Sequence, residues 1–65
     1  MFIVNEHYVI KMIEFDGAQP TVKEYHNCQV LEVEAPLIRC RQGQHEFIVN
    51  PASYVFVSAT WQRRG

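Results

Sequence analysis

Gln44-His45-Glu46-Phe47-Ile48-Val49 and Tyr54-Val55-Phe56-Val57-Ser58-Ala59-Thr60 are two runs rich in branched and aromatic residues, joined only by Asn50-Pro51-Ala52-Ser53. Such side chains pack well on a pleated surface, so both runs favour extended backbone. Pro51 has no amide hydrogen for a ladder and stops the first run, while Ser53 can satisfy an amide of the turn. The expectation is two strands separated by one tight turn at the end of an all-β chain.

Working back from there, Leu37-Ile38-Arg39-Cys40-Arg41 alternates, with Ile38 and Cys40 on one side and both arginines on the other. Gln42-Gly43-Gln44 reads as a hairpin turn into a strand whose His45, Phe47 and Val49 share one face and whose Glu46 and Ile48 share the other. Pro36 interrupts or bends the sheet. Thr21 to Tyr25 and Cys28 to Glu34 continue the β pattern, with Leu31, Val33 and Ala35 on one face and Val30, Glu32 and Glu34 on the other. Residues 2–4 and 7–15 are strand-like too, and Asp16-Gly17 is a turn signal. A helix competes between Asn5 and Phe15, since Asn5 could cap it, Gly17 could end it, and Tyr8, Val9, Met12 and Ile13 would share one helical face. Strand is preferred there. The pattern predicts one domain over residues 1–65, all-β, a small five-stranded antiparallel barrel that closes its edges or a strongly bent sheet.

Sixty-five residues of which 48% are hydrophobic make a chain that buries only about 60% of its unfolded surface. Apolar side chains must then remain near the surface, and self-association is the natural way to cover them, so a homo-oligomer is expected. No run approaches the roughly 20 apolar residues of a membrane span, and the opening Met-Phe-Ile-Val lacks the basic region and cleavage site of a signal peptide. A cytoplasmic location without membrane contact is expected. Cys28 and Cys40 are too few for a secreted disulfide framework and are expected to be reduced and buried, although the chain between them is long enough for a hairpin-spanning bridge.

The net charge of −1 conceals an asymmetry. Residues 1–34 carry Lys11 and Lys23 against Glu6, Glu14, Asp16, Glu24, Glu32 and Glu34, or −4, whereas residues 35–65 carry Arg39, Arg41, Arg63 and Arg64 against Glu46, or +3. Every cation of the second half is arginine, whose planar fork pairs with carboxylate and phosphate and stacks on aromatic rings. Arg39, Arg41, Trp61, Arg63 and Arg64 are therefore the candidate binding residues, for a protein partner or, alternatively, for single-stranded nucleic acid held by arginines and an exposed aromatic. Tyr54 and Phe56 share a strand face and are expected in the core rather than in that surface. Trp61, placed just beyond the last strand, is expected to dock on a neighbouring subunit.

No phosphate-binding glycine loop, His-Glu-x-x-His or Gly-x-Ser-x-Gly occurs, so the chain reads as non-enzymatic. The best carboxylate pair, Glu32 and Glu34, would share a strand face about 7 Å apart, a spacing compatible with a small hydrolase, but a solvated strand face is the preferred reading because so short a chain supplies no cleft. His26-x-Cys28 and Cys40 with His45 offer two nitrogens and two thiols, a set that tetrahedral zinc accepts. Their spacing matches no zinc motif, and no metal or cofactor is expected.

Phe47-Ile48-Val49-Asn50-Pro51-Ala52-Ser53-Tyr54-Val55 resembles the end of SH3-like small barrels, where a strand, a short 3₁₀ turn with Pro-x-x-Tyr-Val and a final strand close the barrel. The resemblance covers about 15 residues and implies an SH3-like architecture. Sm-like barrels share that architecture and commonly assemble into rings that bind single-stranded RNA, which is the source of the nucleic-acid alternative. The Ala-Leu-Tyr-Asp-Tyr-type opening and the tryptophan pair of SH3 domains proper do not occur here, so no proline-peptide groove is carried over.

Overall fold

Alternation of apolar and polar residues places five strands in the computed structural model, which describes residues 2–17 and 19–62. They are β1 (His7–Asp16), β2 (Gln19–Glu34), β3 (Leu37–Gln42), β4 (His45–Val49) and β5 (Phe56–Trp61). All pair antiparallel in one sheet of order β4-β3-β2-β1-β5. No helix occurs among the described residues, so none is long and apolar enough to cross a membrane. Residues 5–15 are therefore not helical. Residues 2–4 are not strand either: Asn5, at φ 75°, turns the chain so that the Glu6 amide donates to the Ile3 carbonyl and the Ile3 amide to the Tyr8 hydroxyl.

The tight turn between the last two strands is present, but it sends them to opposite edges. Asn50 Oδ1 accepts from the Ala52 amide and Ser53 Oγ from the Val55 amide, the role expected of Ser53. The turn continues to Val55, so β5 starts at Phe56 and runs through Trp61, two residues later at its start and one at its end than the sequence suggests. With β4 and β5 as unpaired edges, the sheet is not closed. The open five-stranded antiparallel sheet is consistent with the expected small bent sheet or barrel.

Three bulges bend that sheet. On β2, His26 and Asn27 together face Val9 of β1, and Leu31 is the extra residue between the Val30–Cys40 and Glu32–Arg39 pairs; on β5, Val57 is extra between Ser58 and Phe56. Each bulge adds a residue to one strand and shifts the in-out phase of everything after it. Thr21–Tyr25 and Cys28–Glu34 are thus one 16-residue strand rather than two. Leu31 also corrects the expected faces: Val30 points into the core, Glu32 and Glu34 point out, and Val33 pairs beside buried Ile38.

Tyr8, Ile10, Cys28, Val30, Ile38, Cys40 and Val49 form the buried core, with Phe2, Met12, Tyr25, Phe47, Phe56 and Ala59 packed against it. Both cysteines are free. Burial raises both thiols above their ordinary range, and for Cys40, with a smaller contribution from nearby Cys28, the value moves from 9.0 to about 11. A folded-state pKa above the unfolded value means that the unfolded chain loses its proton first as pH rises. The contribution is intact below pH 9.0 and is lost as pH rises towards about 11. Melting temperatures recorded across that window should fall, and Cys40→Ala should flatten the slope; an identical slope in the variant would mean that other groups set it.

Candidate interaction surface

Outward-facing residues of β2, β3 and β4 form three rows across the strands. Gln29, Arg41 and Glu46 make one, Glu32, Arg39 and Ile48 the next, and Glu34 beside Leu37 the third. Arg39 sits between two carboxylates: Nη1 lies 3.0 Å from Glu46 Oε1 and Nε 3.3 Å from Glu32 Oε1. The Glu46 hydrogen bond, followed by that of Glu32, raises its pKa further. Arg41 Nη2 donates instead to the neutral Gln29 Oε1 at 3.0 Å. Leu37 and Ile48 flank Arg39 with apolar surface, and with Glu32 and Glu34 these residues line a shallow pocket of about 140 Å³.

Arg39 and Arg41 are therefore together, as their strand alternation requires. Trp61 is not with them on neighbouring strands, because β1 and β2 lie between β3 and β5. Nor does Trp61 lie beyond the last strand: it ends β5 opposite Tyr8, and its Nε1 donates to Glu6 Oε1 at 2.9 Å while 54% of the residue stays exposed. Arg63 and Arg64 lie outside the described residues. Tyr54 corrects a second expectation. It belongs to the turn before β5 and is 81% exposed, whereas Phe56, after the turn, packs against the core.

The carboxylates and the possible metal ligands are separated by the same in-out logic. Glu32 is engaged by Arg39, and Glu34 is exposed at the rim of the same shallow pocket, so the two carboxylates do not face each other across an enclosed cleft. Cys28 and Cys40 point into the core while His26 and His45 are exposed. Among the described residues no group of three or more His, Cys, Asp or Glu side chains could hold a metal ion. His26 instead places Nε2 2.8 Å from Glu24 Oε1, and Lys11 approaches the same carboxylate at 3.4 Å. Those contacts, the His26 bond first, lower the Glu24 pKa.

Two glutamines missed by sequence reasoning hold the first bulge of β2. Gln62 accepts from the Asn27 amide through Oε1 and donates to Asn27 Oδ1 through Nε2, both at 2.9 Å, and Gln42 Nε2 donates to the His26 carbonyl at 2.8 Å. No local pattern points to these contacts, since Asn27 and Gln62 are 35 residues apart. Comparison of the chain with protein-family models, with curated proteins and with solved structures found no match in any of the three.

Proposed function

We propose that the chain is a non-enzymatic interaction module of the SH3-like type that associates with itself, using the outward face of β2, β3 and β4 around Arg39 and Arg41. One observation carries this reading: among the described residues ten large hydrophobic side chains are exposed and only seven residues form the buried hydrophobic core. Leu37, Ile48 and Val33 lie on or beside the arginine face, and Phe15, Val22 and Val57 lie on the β1–β2 arm and β5. Among these, Leu37 and Ile48 lie together beside Arg39, Glu32 and Glu34, an apolar spot rimmed by charge that a second copy could cover. The return of β5 to pair with β1 after a short turn supports the SH3-like assignment.

The charges favour protein over nucleic acid. Arg39 is already shared by two carboxylates, and Glu34 stands beside them, so the face that carries both arginines presents more acidic than basic groups to a phosphate backbone. Arginine contacts to phosphate release counterions and weaken steeply with salt. Association driven mainly by apolar residues need not show that steep dependence.

Size-exclusion chromatography with light scattering, followed at 260 and 280 nm, tests the proposal. The expected result is an oligomer free of excess absorbance at 260 nm. Arg39→Ala with Arg41→Ala should shift it towards monomer while the circular dichroism spectrum stays unchanged, because exposed ion pairs contribute little to folding. A monomer at every concentration would reject self-association. An oligomer carrying nucleic acid that is stripped by salt would put the alternative in its place.

A further inference from the structure

The inward side of the bent sheet holds a second feature, an open groove of about 250 Å³ between the β1–β2 arm and the β3–β4 hairpin. Met12 and Glu14 of β1, Tyr25 of β2, Gln42 of β3, and His45, Phe47 and Ile48 of β4 contribute to its walls. The Tyr25 and Phe47 rings are tilted by 41° with centroids 6.1 Å apart, and the His45 ring stacks on Phe47 at 6.3 Å. We propose that this groove binds the arginine side chain of a partner peptide.

Size, walls and charge each narrow the occupant. A space of 250 Å³ is below the usual volume of a small-molecule or cofactor site, which starts at about 300 Å³, and suits a single long side chain. Ring faces and the Met12 thioether favour an apolar stem and a polarisable or cationic head. Glu14 provides the complementary charge. Its Oε1 lies 4.0 Å from Lys23 Nζ, the outer limit of an ion pair, and no hydrogen bond or ion pair engages Oε2 among the described residues. Gln42 uses its Nε2 on the His26 carbonyl, which leaves its Oε1 as a second acceptor.

A flexible stem ending in a flat cation with several donors meets all of these demands. Arginine does so better than lysine, because its guanidinium can lie on a ring and donate to the carboxylate in the same plane. The Glu14 charge disfavours a nucleotide, whose phosphate it would repel. The groove and the arginine face lie on opposite sides of the sheet and share only Ile48, which lines both.

Titration of isotope-labelled protein with the peptide acetyl-Gly-Arg-Gly-amide, followed by amide chemical shifts, tests the proposal. Saturable shifts centred on Met12, Tyr25 and Phe47 are expected, in the millimolar range appropriate to one side chain. The same peptide with citrulline, the uncharged isostere, should bind at least about tenfold more weakly. Glu14→Gln should remove the difference between the two peptides while keeping a dispersed, folded spectrum. Equal binding of both peptides to the wild type, shifts centred elsewhere, or displacement of the same signals by a short oligothymidine but not by the arginine peptide would each overturn it.

Discussion

Ile10→Ala is expected to leave the domain largely unfolded at room temperature. Ile10 is fully buried on β1, between Tyr25 of β2 and Ala59 of β5, so truncation removes contacts on both sides at once and leaves a cavity in the middle of the sheet. Such truncations cost about 2–5 kcal/mol. A core of this size supplies only about 3–5 kcal/mol of net stability, so the loss is comparable to the whole. Ile10→Val, which removes one methylene, should cost about 0.5–1.5 kcal/mol and keep a cooperative transition. Urea unfolding followed by circular dichroism separates the two cases. A cooperative Ile10→Ala transition near the wild-type midpoint would show that Ile10 does not hold β2 and β5 on β1.

Asn27→Val should produce the second-largest loss, at a residue that is exposed. Asn27 has φ 57°, in the left-handed region that asparagine tolerates and a β-branched residue does not. The substitution adds that backbone cost, about 1–2 kcal/mol, to the loss of the Oδ1 acceptor for Gln62, a bond of about 1 kcal/mol. A total of about 2–3 kcal/mol lowers the melting temperature of a domain this small by roughly 8–24 °C. Asn27→Gly separates the two causes, because glycine keeps the positive φ and loses only the side-chain bond. It should lose at most about half as much. Equal losses in both variants would place the whole effect in the Gln62 contact and none in the backbone.

The groove and the bulge are linked through Gln42, whose amide reaches from the end of β3 to the His26 carbonyl and also lines the groove wall. The first β2 bulge therefore does more than bend the strand. It brings Tyr25 to the inward face three residues before Cys28, a spacing that regular alternation forbids, and so sets Tyr25 beside Phe47 of β4. Sequence reasoning had His45 and Phe47 on one face, correctly, but had no means of adding Glu14, Met12 and Tyr25 to them.

The class of the fold and the faces of the short strands are legible in the residues alone. Period-two alternation is a local property, and in β3 and β4 it runs without interruption, so Ile38, Cys40, Phe47 and Val49 turn inward and Arg39, Arg41, Glu46 and Ile48 turn outward, as their order requires. Turn chemistry at Asp16-Gly17, Gly43 and Asn50–Ser53 is equally local and was equally legible. The phase of β2 and the end of β5 depend instead on which strands pair. A bulge sets an extra residue of one strand against its partner, and the partners are distant in sequence. The same reason hid the exposure of Tyr54, the placement of Trp61 against Glu6, and the sharing of Arg39 between Glu32 and Glu46. Each depends on which strands become neighbours, and the order β4-β3-β2-β1-β5 is an outcome of packing the whole chain around one small core.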